Sequence, residues 1–317
     1  MKKLIITIDT EGDNLWEWKP NKEITTNNAL YLQRFQDLCN IYNFKPVWLT
    51  NYEMIMDDNY VDFISNVIEH NQGEIGMHLH AWNSLPEYKI KNVNGEAPYL
   101  IEYPIEIMEQ KIDYLTSLIK KKVGVCPISH RAGRWATNDN YFDLLIKYGY
   151  KVDCSVTPGI SWENNLGGTY DSKGTDYTDH SHECYWIENK NKTQEILEVP
   201  VSVFNSHKCF MPQKMSLKKI LGSMYRSLKG ENLWLRPDGY NNKQMQYMID
   251  KYVKSNQDYI MFMIHSSELM PGGSPTFKTK ESIEELYHSL EEIFQKLAQN
   301  FYGVTLEEYY NEKKEKK

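Results

Sequence analysis

The chain has 317 residues, of which 41% are hydrophobic, and its formal net charge is -7 with a sequence pI near 5.8. This length can bury a large core, while the acidic balance lacks the broad basic surface of a dedicated nucleic-acid-binding protein and excludes that class. The five scattered cysteines form no C-x-x-C pair, so neither a disulfide framework nor a thiolate zinc cluster is indicated. The apolar stretch 4–8 is too short for a signal-peptide core or a membrane span, so we expect a cytoplasmic protein that does not cross a membrane.

Short apolar stretches and helical stripes alternate along the chain. Short runs of apolar and β-branched residues predict strands at residues 4–8, 47–49, 75–77, 125–129, 152–155, 196–203 and 259–264. Helical spacing of apolar residues predicts helices at 27–42, 60–68, 105–119, 138–148 and 281–297. The alternation indicates parallel strands joined by right-handed crossovers, in an open sheet or a closed barrel. Residues 161–191 and 229–242 are predicted long loops, and the charged tail 311–317 is predicted to be disordered.

Four of the predicted strands end in polar motifs, and the first motif contains Asp9 and Glu11. In an extended segment, side chains two residues apart project to the same side. The two carboxylates can therefore divide labour, one binding a cation and the other accepting a proton. A simpler interpretation stays open from this motif alone, in which Asp9 or Asp13 caps the next helix.

The second motif contains His78 and His80 at the same two-residue spacing. Both imidazoles can face one point, with nitrogens about 2.0 to 2.1 Å from a zinc ion. Two histidines and one carboxylate leave a coordination position open, which is typical of a catalytic metal. Two surface histidines in a loop are the alternative. The segment Asp179-His180-Ser181-His182 repeats the spacing, but no apolar strand directly precedes it to fix its geometry, so it is the weaker candidate.

The third and fourth motifs supply an arginine pair and a histidine. Arg131 and Arg134 bracket Gly133, and Trp135 follows. A guanidinium can hold a carboxylate through two hydrogen bonds and keep it ionised. His265 ends the apolar stretch 259–264, so a buried strand delivers an imidazole to the same rim, where it is a candidate general acid.

Taken together and in this order, the motifs resemble the polysaccharide deacetylase family with NodB homology, also called carbohydrate esterase family four. The resemblance extends over residues 7–275. The segments beginning at His78 and His265 resemble a divergent branch associated with surface-polysaccharide assembly. This resemblance implies an α/β fold, a distorted (β/α)7 barrel, in which residues 1–310 form a single domain with long inserted loops around 161–191 and 229–242.

The resemblance also implies roles for individual residues. Asp9 matches the catalytic base, Arg131 the arginine that orients it, and His265 the catalytic acid. His78 matches the first metal histidine. Glu11 and His80 take the places of the second acid and the second histidine, which the family has at other spacings. The segment 153–155 matches the family segment whose aspartate often supports the acid.

The expected activity is the hydrolysis of an N-acyl group, most simply acetyl, from an amino sugar, with a divalent metal as cofactor. Zinc suits the imidazole ligands, although iron, cobalt or nickel tolerates the same set. The partner is then a saccharide. Flat aromatic rings suit the faces of sugar rings, and the residues expected to contact the substrate are Trp82, Arg134, Trp135 and Glu268.

Two alternatives stay open from the sequence. A hydrolase of non-sugar linear amides could use the same fold. A carbohydrate-binding protein without catalysis is the second alternative, although the presence of Asp9, Arg131 and His265 favours an enzyme.

Overall fold

The computed structural model describes residues 1–19, 22–210 and 217–317. Its strands are β1 (Lys2–Thr10), β2 (Val47–Thr50), β3 (Glu74–Leu79), β4 (Ser129–Ala132), β5 (Val152–Asp153), β6 (Tyr185–Glu188), β7 (Glu195–Glu198), β8 (Val203–Ser206), β9 (Glu231–Trp234), β10 (Tyr259–His265) and β11 (Phe301–Gly303). Its α-helices are α1 (Leu32–Ile41), α2 (Tyr52–Met56), α3 (Asp58–Glu69), α4 (Ile105–Val123), α5 (Asp139–Lys147), α6 (Leu217–Lys229), α7 (Asn242–Lys254), α8 (Lys280–Ala298) and α9 (Leu306–Glu315). Over the described ranges, no helix combines the length and the apolar character needed to cross a membrane.

The main sheet contains seven parallel strands in the order β10-β1-β2-β3-β4-β5-β7. The short strand β11 pairs with the start of β1, and β6 runs antiparallel along the outer edge of β7. The sheet curls into a half-barrel flanked by helices. The predicted (β/α)7 barrel is therefore confirmed.

Side chains along the strands alternate between two apolar clusters, as the two-residue period of a strand requires. In β1, Leu4, Ile6 and Ile8 pack on the helix side, whereas Ile5 belongs to a separate inner cluster. In β10, Phe262 likewise packs on the helix side. When a polar residue at the carboxyl end of a strand falls on the same alternating positions as the inner cluster, its side chain is therefore directed into the barrel.

Segments outside the main sheet cover the free edge of β10. The backbone N–H of Met261 donates to the hydroxyl of Ser202 at 2.8 Å, and the N–H of Met263 donates to the carbonyl of Leu235 at 3.1 Å. The chain after β7 and after β9 thus occupies the place where a further strand would close the barrel. This cover satisfies N–H groups that an open edge leaves unpaired.

Several predicted boundaries are wrong for identifiable reasons. The predicted strand 196–203 divides into β7 and β8 on either side of Pro200, which has no N–H for a ladder hydrogen bond. The predicted strand 125–129 begins only at Ser129. The predicted loops 161–191 and 229–242 each contain a short strand, β6 and β9.

The tail 311–317, predicted to be disordered, is helical as far as Glu315 because α9 is anchored to the barrel. Tyr309 joins the inner apolar cluster, and its hydroxyl donates to Asp258 at 2.9 Å. Lys313 forms an ion pair with the same carboxylate at 2.7 Å. The charged sequence of the tail did not predict α9, because the stability of this helix depends on contacts with distant residues.

Candidate active site

Six of the predicted site residues converge at the carboxyl ends of the strands. They continue the inner side-chain series described above, and each is largely or fully buried. The pairing register of the strands brings these residues together. Asp9 lies beside His265 in the β1–β10 pair, and His78 lies beside Arg131 in the β3–β4 pair. The converging residues are Asp9, Glu11, His78, His80, Arg131 and His265.

Glu11, His78 and His80 form the one group of three potential metal ligands in the described part of the chain. The Nε2 atoms of the two histidines are 2.9 Å apart, and they lie 3.5 and 3.3 Å from Oε2 of Glu11. Ligand atoms about 2.0–2.1 Å from an ion in tetrahedral geometry are about 3.3 Å from one another. The triangle therefore has the dimensions of three ligands on one ion.

The tautomer of His78 is set by the backbone of β4. Its Nδ1 lies 2.9 Å from the carbonyl oxygen of Arg131, and because a carbonyl only accepts, Nδ1 carries the proton. Neutral His78 therefore presents the lone pair of Nε2 to Glu11 and His80. A hydrogen bond of this kind commonly orients a metal-binding histidine.

His80 is held by packing rather than by a hydrogen bond. Its ring stacks on Trp82 with centroids 4.3 Å apart and planes 29° apart. On another side it lies so close to Gly133 that a Cβ there would be 2.3 Å from Cδ2 of the ring. Its Nδ1 has no hydrogen-bond partner among the described residues. Gly133 is thus needed at this position for space.

The two histidines have opposite pKa shifts. Burial works against a charged imidazole in both, but Asp9 and Glu11 raise the pKa of His78 above its ordinary value. Burial and the neighbouring His78 place the pKa of His80 well below its ordinary value. His80 is therefore neutral, as a metal ligand must be.

Arg131 holds Asp9 in its ionised form. Both side chains are buried, and Nη1 of Arg131 donates to Oδ1 of Asp9 at 2.5 Å, while Nε donates to the carbonyl of Cys154 at 3.1 Å. Burial alone would raise the pKa of Asp9, but Arg131, His78 and His265 together hold it far below its ordinary value. Oδ2 of Asp9 is left facing Nε2 of His265 at 3.7 Å.

His265 is supported from behind by Glu268 and Arg236. Oε2 of Glu268 lies 3.2 Å from Nδ1 of His265 and accepts the backbone N–H of the same residue at 2.9 Å. Nη2 of Arg236 lies 3.0 Å from both Oε1 of Glu268 and Nδ1 of His265. Burial opposes ionisation of Glu268, but Arg236 and His265 lower its pKa to about 2. Because a guanidinium only donates, Nδ1 of neutral His265 accepts from Arg236, which leaves the imidazole proton on Nε2, directed into the site.

This support differs from what the family resemblance implied for the segment 153–155. Oδ1 of Asp153 lies 2.5 Å from Nδ1 of His130 and accepts a hydrogen bond from the Ser155 hydroxyl at 2.9 Å. Val152 in β5 and Cys154 directly after it join the inner cluster, so Asp153 between them is directed to the other side of the strand. The expectation that Asp153 supports the acid is corrected, because Glu268 occupies that place. Glu268 itself was expected to contact substrate.

A cavity of about 410 Å³ opens over the converged residues. Trp82, Arg134 and Trp135 line it, together with Trp16 and Trp18. Trp16 contacts the His265 ring edge to face at 5.0 Å between centroids, and Trp18 contacts Trp82 at 5.7 Å. Three of the four residues expected to contact substrate therefore face this space.

Arg134 and Trp135 adopt an unusual backbone conformation. Their φ angles are 56° and 64°, which few non-glycine residues adopt. The turn directs the Arg134 guanidinium over the ring of Tyr99, 4.3 Å from its centroid, and Nη2 donates to the carbonyl of Leu166 at 2.8 Å. Residues in such strained conformations cluster at functional sites. The same turn places Trp135 at the edge of the cavity.

A second cavity of about 490 Å³ adjoins the first. Trp135, Trp162 and Arg236 line both cavities. The rings of Trp135 and Trp162 are nearly parallel, 6.3 Å apart, and Trp234 completes the group. The sequence did not predict a role for Trp162, Trp234 or Arg236, since all three lie in segments that were predicted to be loops.

The alternative metal segment 179–182 is exposed. Its residues are absent from the ligand group identified over the described ranges. Asp13, by contrast, fulfils the simpler interpretation given to the first motif. Its carboxylate accepts the backbone N–H groups of Asn27 and Asn28 at 2.9 and 3.0 Å, at the start of a helical turn.

Comparisons with known proteins give matches of structure only. No protein-family model and no curated protein matches the sequence. A Mycobacterium smegmatis protein assigned as a polysaccharide deacetylase superimposes with a TM-score of 0.55 at 12% identity, covering 99% of this chain and 91% of the other. A Thermococcus litoralis 4-alpha-glucanotransferase gives 0.54 at 13% identity, covering 98% of this chain and 40% of the other.

An allantoinase structure gives a TM-score of 0.52 at 10% identity, covering 98% of this chain and 88% of the other. The three proteins have different activities, so the shared architecture does not select a reaction. At such identities the likeness is one of fold. On that evidence the chain has the fold of the polysaccharide deacetylases that its four motifs resemble.

Proposed function

We propose that the protein is a metal-dependent hydrolase that removes an N-acyl group, most simply acetyl, from an amino sugar in surface-polysaccharide metabolism. The observation that carries this proposal is the convergence of Glu11, His78 and His80 at ligand spacing directly beside the ionised Asp9. A metal triad next to a buried base can supply both the Lewis acid and the proton acceptor that hydrolysis of an unactivated amide uses.

The donor set fits a divalent cation, and zinc suits it best. Two imidazoles and one carboxylate supply three ligands and leave a fourth position open, as catalytic zinc sites do. When bound there, the ion would act as a Lewis acid toward the acyl carbonyl. Glu11, His78 and His80 would hold it.

Asp9 is the proposed general base. Arg131 occupies Oδ1, so Oδ2 is the oxygen available to accept the proton of the attacking water. Since the pKa of Asp9 is held far below its ordinary value, the carboxylate is ionised at neutral pH, and Arg131 fixes its plane. A base held in place in this way lowers the entropic part of the activation free energy of hydrolysis.

His265 is the proposed general acid. Its Nε2 faces Asp9 and Glu11 at 3.7 and 3.8 Å, on the side where a leaving amine would be. Glu268 and Arg236 hold the imidazole at its Nδ1 side, and Nε2–H donates to the departing nitrogen. Asp9 and His265 thus divide the two proton transfers: Asp9 accepts the proton of the water, and His265 donates a proton to the amine.

The aromatic lining favours a saccharide. Trp82, Trp135 and Trp162 offer flat apolar faces, and Arg134 offers N–H donors at the cavity edge. The adjoining cavity lined by Trp234 has room for a second ring, which favours an oligosaccharide over a single sugar.

The test is acetate release from N-acetylated amino-sugar oligosaccharides by the purified protein. We expect release that stops after chelation and returns with added zinc, with one free amine formed per acetate. A protein that binds zinc and oligosaccharide but releases no acetate would instead be the binding protein of the second alternative.

Hydrolysis of a non-sugar linear amide is the remaining candidate, and the likeness to an allantoinase structure favours testing it. Incubation with ureides in place of the oligosaccharide, followed by consumption of the ureide instead of acetate release, separates the two reactions. If the protein hydrolysed a ureide but not the acetylated oligosaccharide, the proposed substrate class would be wrong. The proposed metal site and general base would still stand.

A further inference from the structure

Helix α6 presents its apolar side to solvent. Leu221, Met224, Tyr225 and Leu228 are between 51% and 81% exposed. Their spacing of three, one and three residues places them on one side of the helix over two turns. Helices on the surface of a globular protein normally turn such a stripe inward.

Two serines of α6 contact the rest of the protein. Ser223 is buried, and its hydroxyl donates to the carbonyl of Phe210. The carbonyl of Ser227 accepts a hydrogen bond from Nδ1 of His207 at 3.1 Å. The helix is thus attached by its serine side, and its apolar stripe is left without a partner among the described residues.

The sequence around α6 is basic, although the whole chain has a net charge of -7. Between residues 207 and 230 there is no aspartate or glutamate. The basic positions of this stretch are Lys208, Lys214, Lys218, Lys219, Arg226 and Lys229. Arg226 contacts Glu231 at 3.0 Å, and Lys229 lies 5.0 Å from the ring centroid of Tyr225, at the margin of the stripe.

We propose that α6 docks the protein on the surface of an anionic lipid bilayer. An exposed apolar stripe combined with lysine, arginine and no acid is the composition of a helix that lies in a membrane interface. The positive charge complements acidic headgroups, and each such residue strengthens binding several-fold. A stripe of two turns is small for a protein interface, which buries about 1,000 Å² or more, but it suffices for shallow insertion into lipid.

The test is sedimentation of the full-length protein with vesicles, without any substrate, so that its result is independent of the proposed function. We expect binding to vesicles made of equal parts phosphatidylcholine and phosphatidylglycerol, little binding to phosphatidylcholine alone, and weakening with added salt. The double variant Leu221→Gln/Leu228→Gln should bind about 100-fold more weakly, because two inserting side chains are lost. Lys229→Gln should weaken binding about fivefold.

Ile41→Gln is the matched control, because Ile41 is 72% exposed on α1, outside the α6 surface. It should bind vesicles as the wild type does, and circular dichroism should be unchanged in all variants. Equal binding to both vesicle types, no binding, or unchanged binding by the double variant would each overturn the proposal. A wild-type dimer that the double variant converts to monomer, without vesicle binding, would assign the stripe to a second copy of the chain instead.

Discussion

Two buried clusters of acids and imidazoles lie in this barrel, and they are not equivalent. One contains Glu11, His78 and His80 beside Asp9. The other contains His130, Asp153 and Glu198, all of them without solvent exposure. In the second cluster His130 contacts Asp153 through Nδ1 and the Tyr141 hydroxyl through Nε2 at 2.8 Å, so both of its nitrogens have partners. In the first, imidazole and carboxylate lone pairs face each other under an open cavity.

Burial of titratable groups therefore does not by itself identify a reactive site. In the second cluster, burial and the neighbouring Asp153 raise the pKa of Glu198 well above its ordinary value, so this carboxyl is neutral. Burial also opposes the charge on Asp153, but His130 lowers its pKa. In the second cluster His130 and Asp153 are partnered by one another and by polar neighbours, whereas the first places two imidazoles and a carboxylate at ligand spacing under an open cavity.

The largest effect is expected from His78→Ala. Loss of one of three ligands should abolish stoichiometric metal binding and lower turnover about 1,000-fold or more. Metal content by atomic emission and acetate release are the measurements. His130→Gln is the matched variant in the other cluster: it should lower stability and keep the metal. If His130→Gln also lost the metal, the distinction between the clusters would be wrong.

Asp9→Asn should keep the metal and lose turnover by about 10²–10⁴-fold, the usual contribution of a general base. It also leaves the buried Arg131 without its anion, which should cost about 3–5 kcal/mol of unfolding free energy. Metal content, turnover and denaturant unfolding are therefore measured on the same preparation. Full activity of Asp9→Asn would exclude Asp9 as the base.

Glu268→Gln should have a smaller effect, about tenfold on kcat, because the variant removes support from the acid rather than the acid itself. The glutamine keeps only one oxygen to accept the hydrogen bonds that the two carboxylate oxygens share between His265 and Arg236. We expect kcat to fall while KM stays nearly unchanged. An unchanged kcat would show that Glu268 does not act through His265.

Glu198→Gln should leave turnover and metal content unchanged and alter only the pH dependence of stability. Because the folded-state pKa of Glu198 is raised, its contribution is complete below the ordinary value of 4.5 and is lost as the pH rises toward the folded pKa. The wild type should therefore lose more unfolding free energy than the variant between about pH 5 and about pH 8. Identical pH dependence in both proteins would contradict a neutral Glu198.

The strand-end motifs were predictable from sequence because the two-residue period of a strand determines which side chains share a face. Asp9 with Glu11, and His78 with His80, follow directly from that period. His265 follows from the unbroken apolar run before it. The alternation of apolar strands and amphipathic helices, which is a local pattern, predicted parallel strands in an open sheet or a closed barrel, and the family resemblance selected the barrel.

Residues whose role depends on long-range contacts were not predictable. Arg236 and Trp234 reach the site only because β9 pairs with β8, and no pattern in residues 229–242 indicates that pairing. Glu268 is a different case, because its contact with His265 is local, but that contact depends on the 3-10 turn Ser266–Leu269, which was not predicted. The helix α9 was missed because its burial comes from Tyr309 packing against distant strands.

The packing of His80 between Trp82 and Gly133 has a consequence for how firmly an ion is held. A metal-binding histidine usually gains basicity from an acceptor on its second nitrogen, and loss of such a partner weakens metal affinity about 10–100-fold. His80 lacks one among the described residues, so shape alone keeps its ring in place. Under the proposed function we therefore expect a bound ion to exchange readily, so that several divalent metals would support activity.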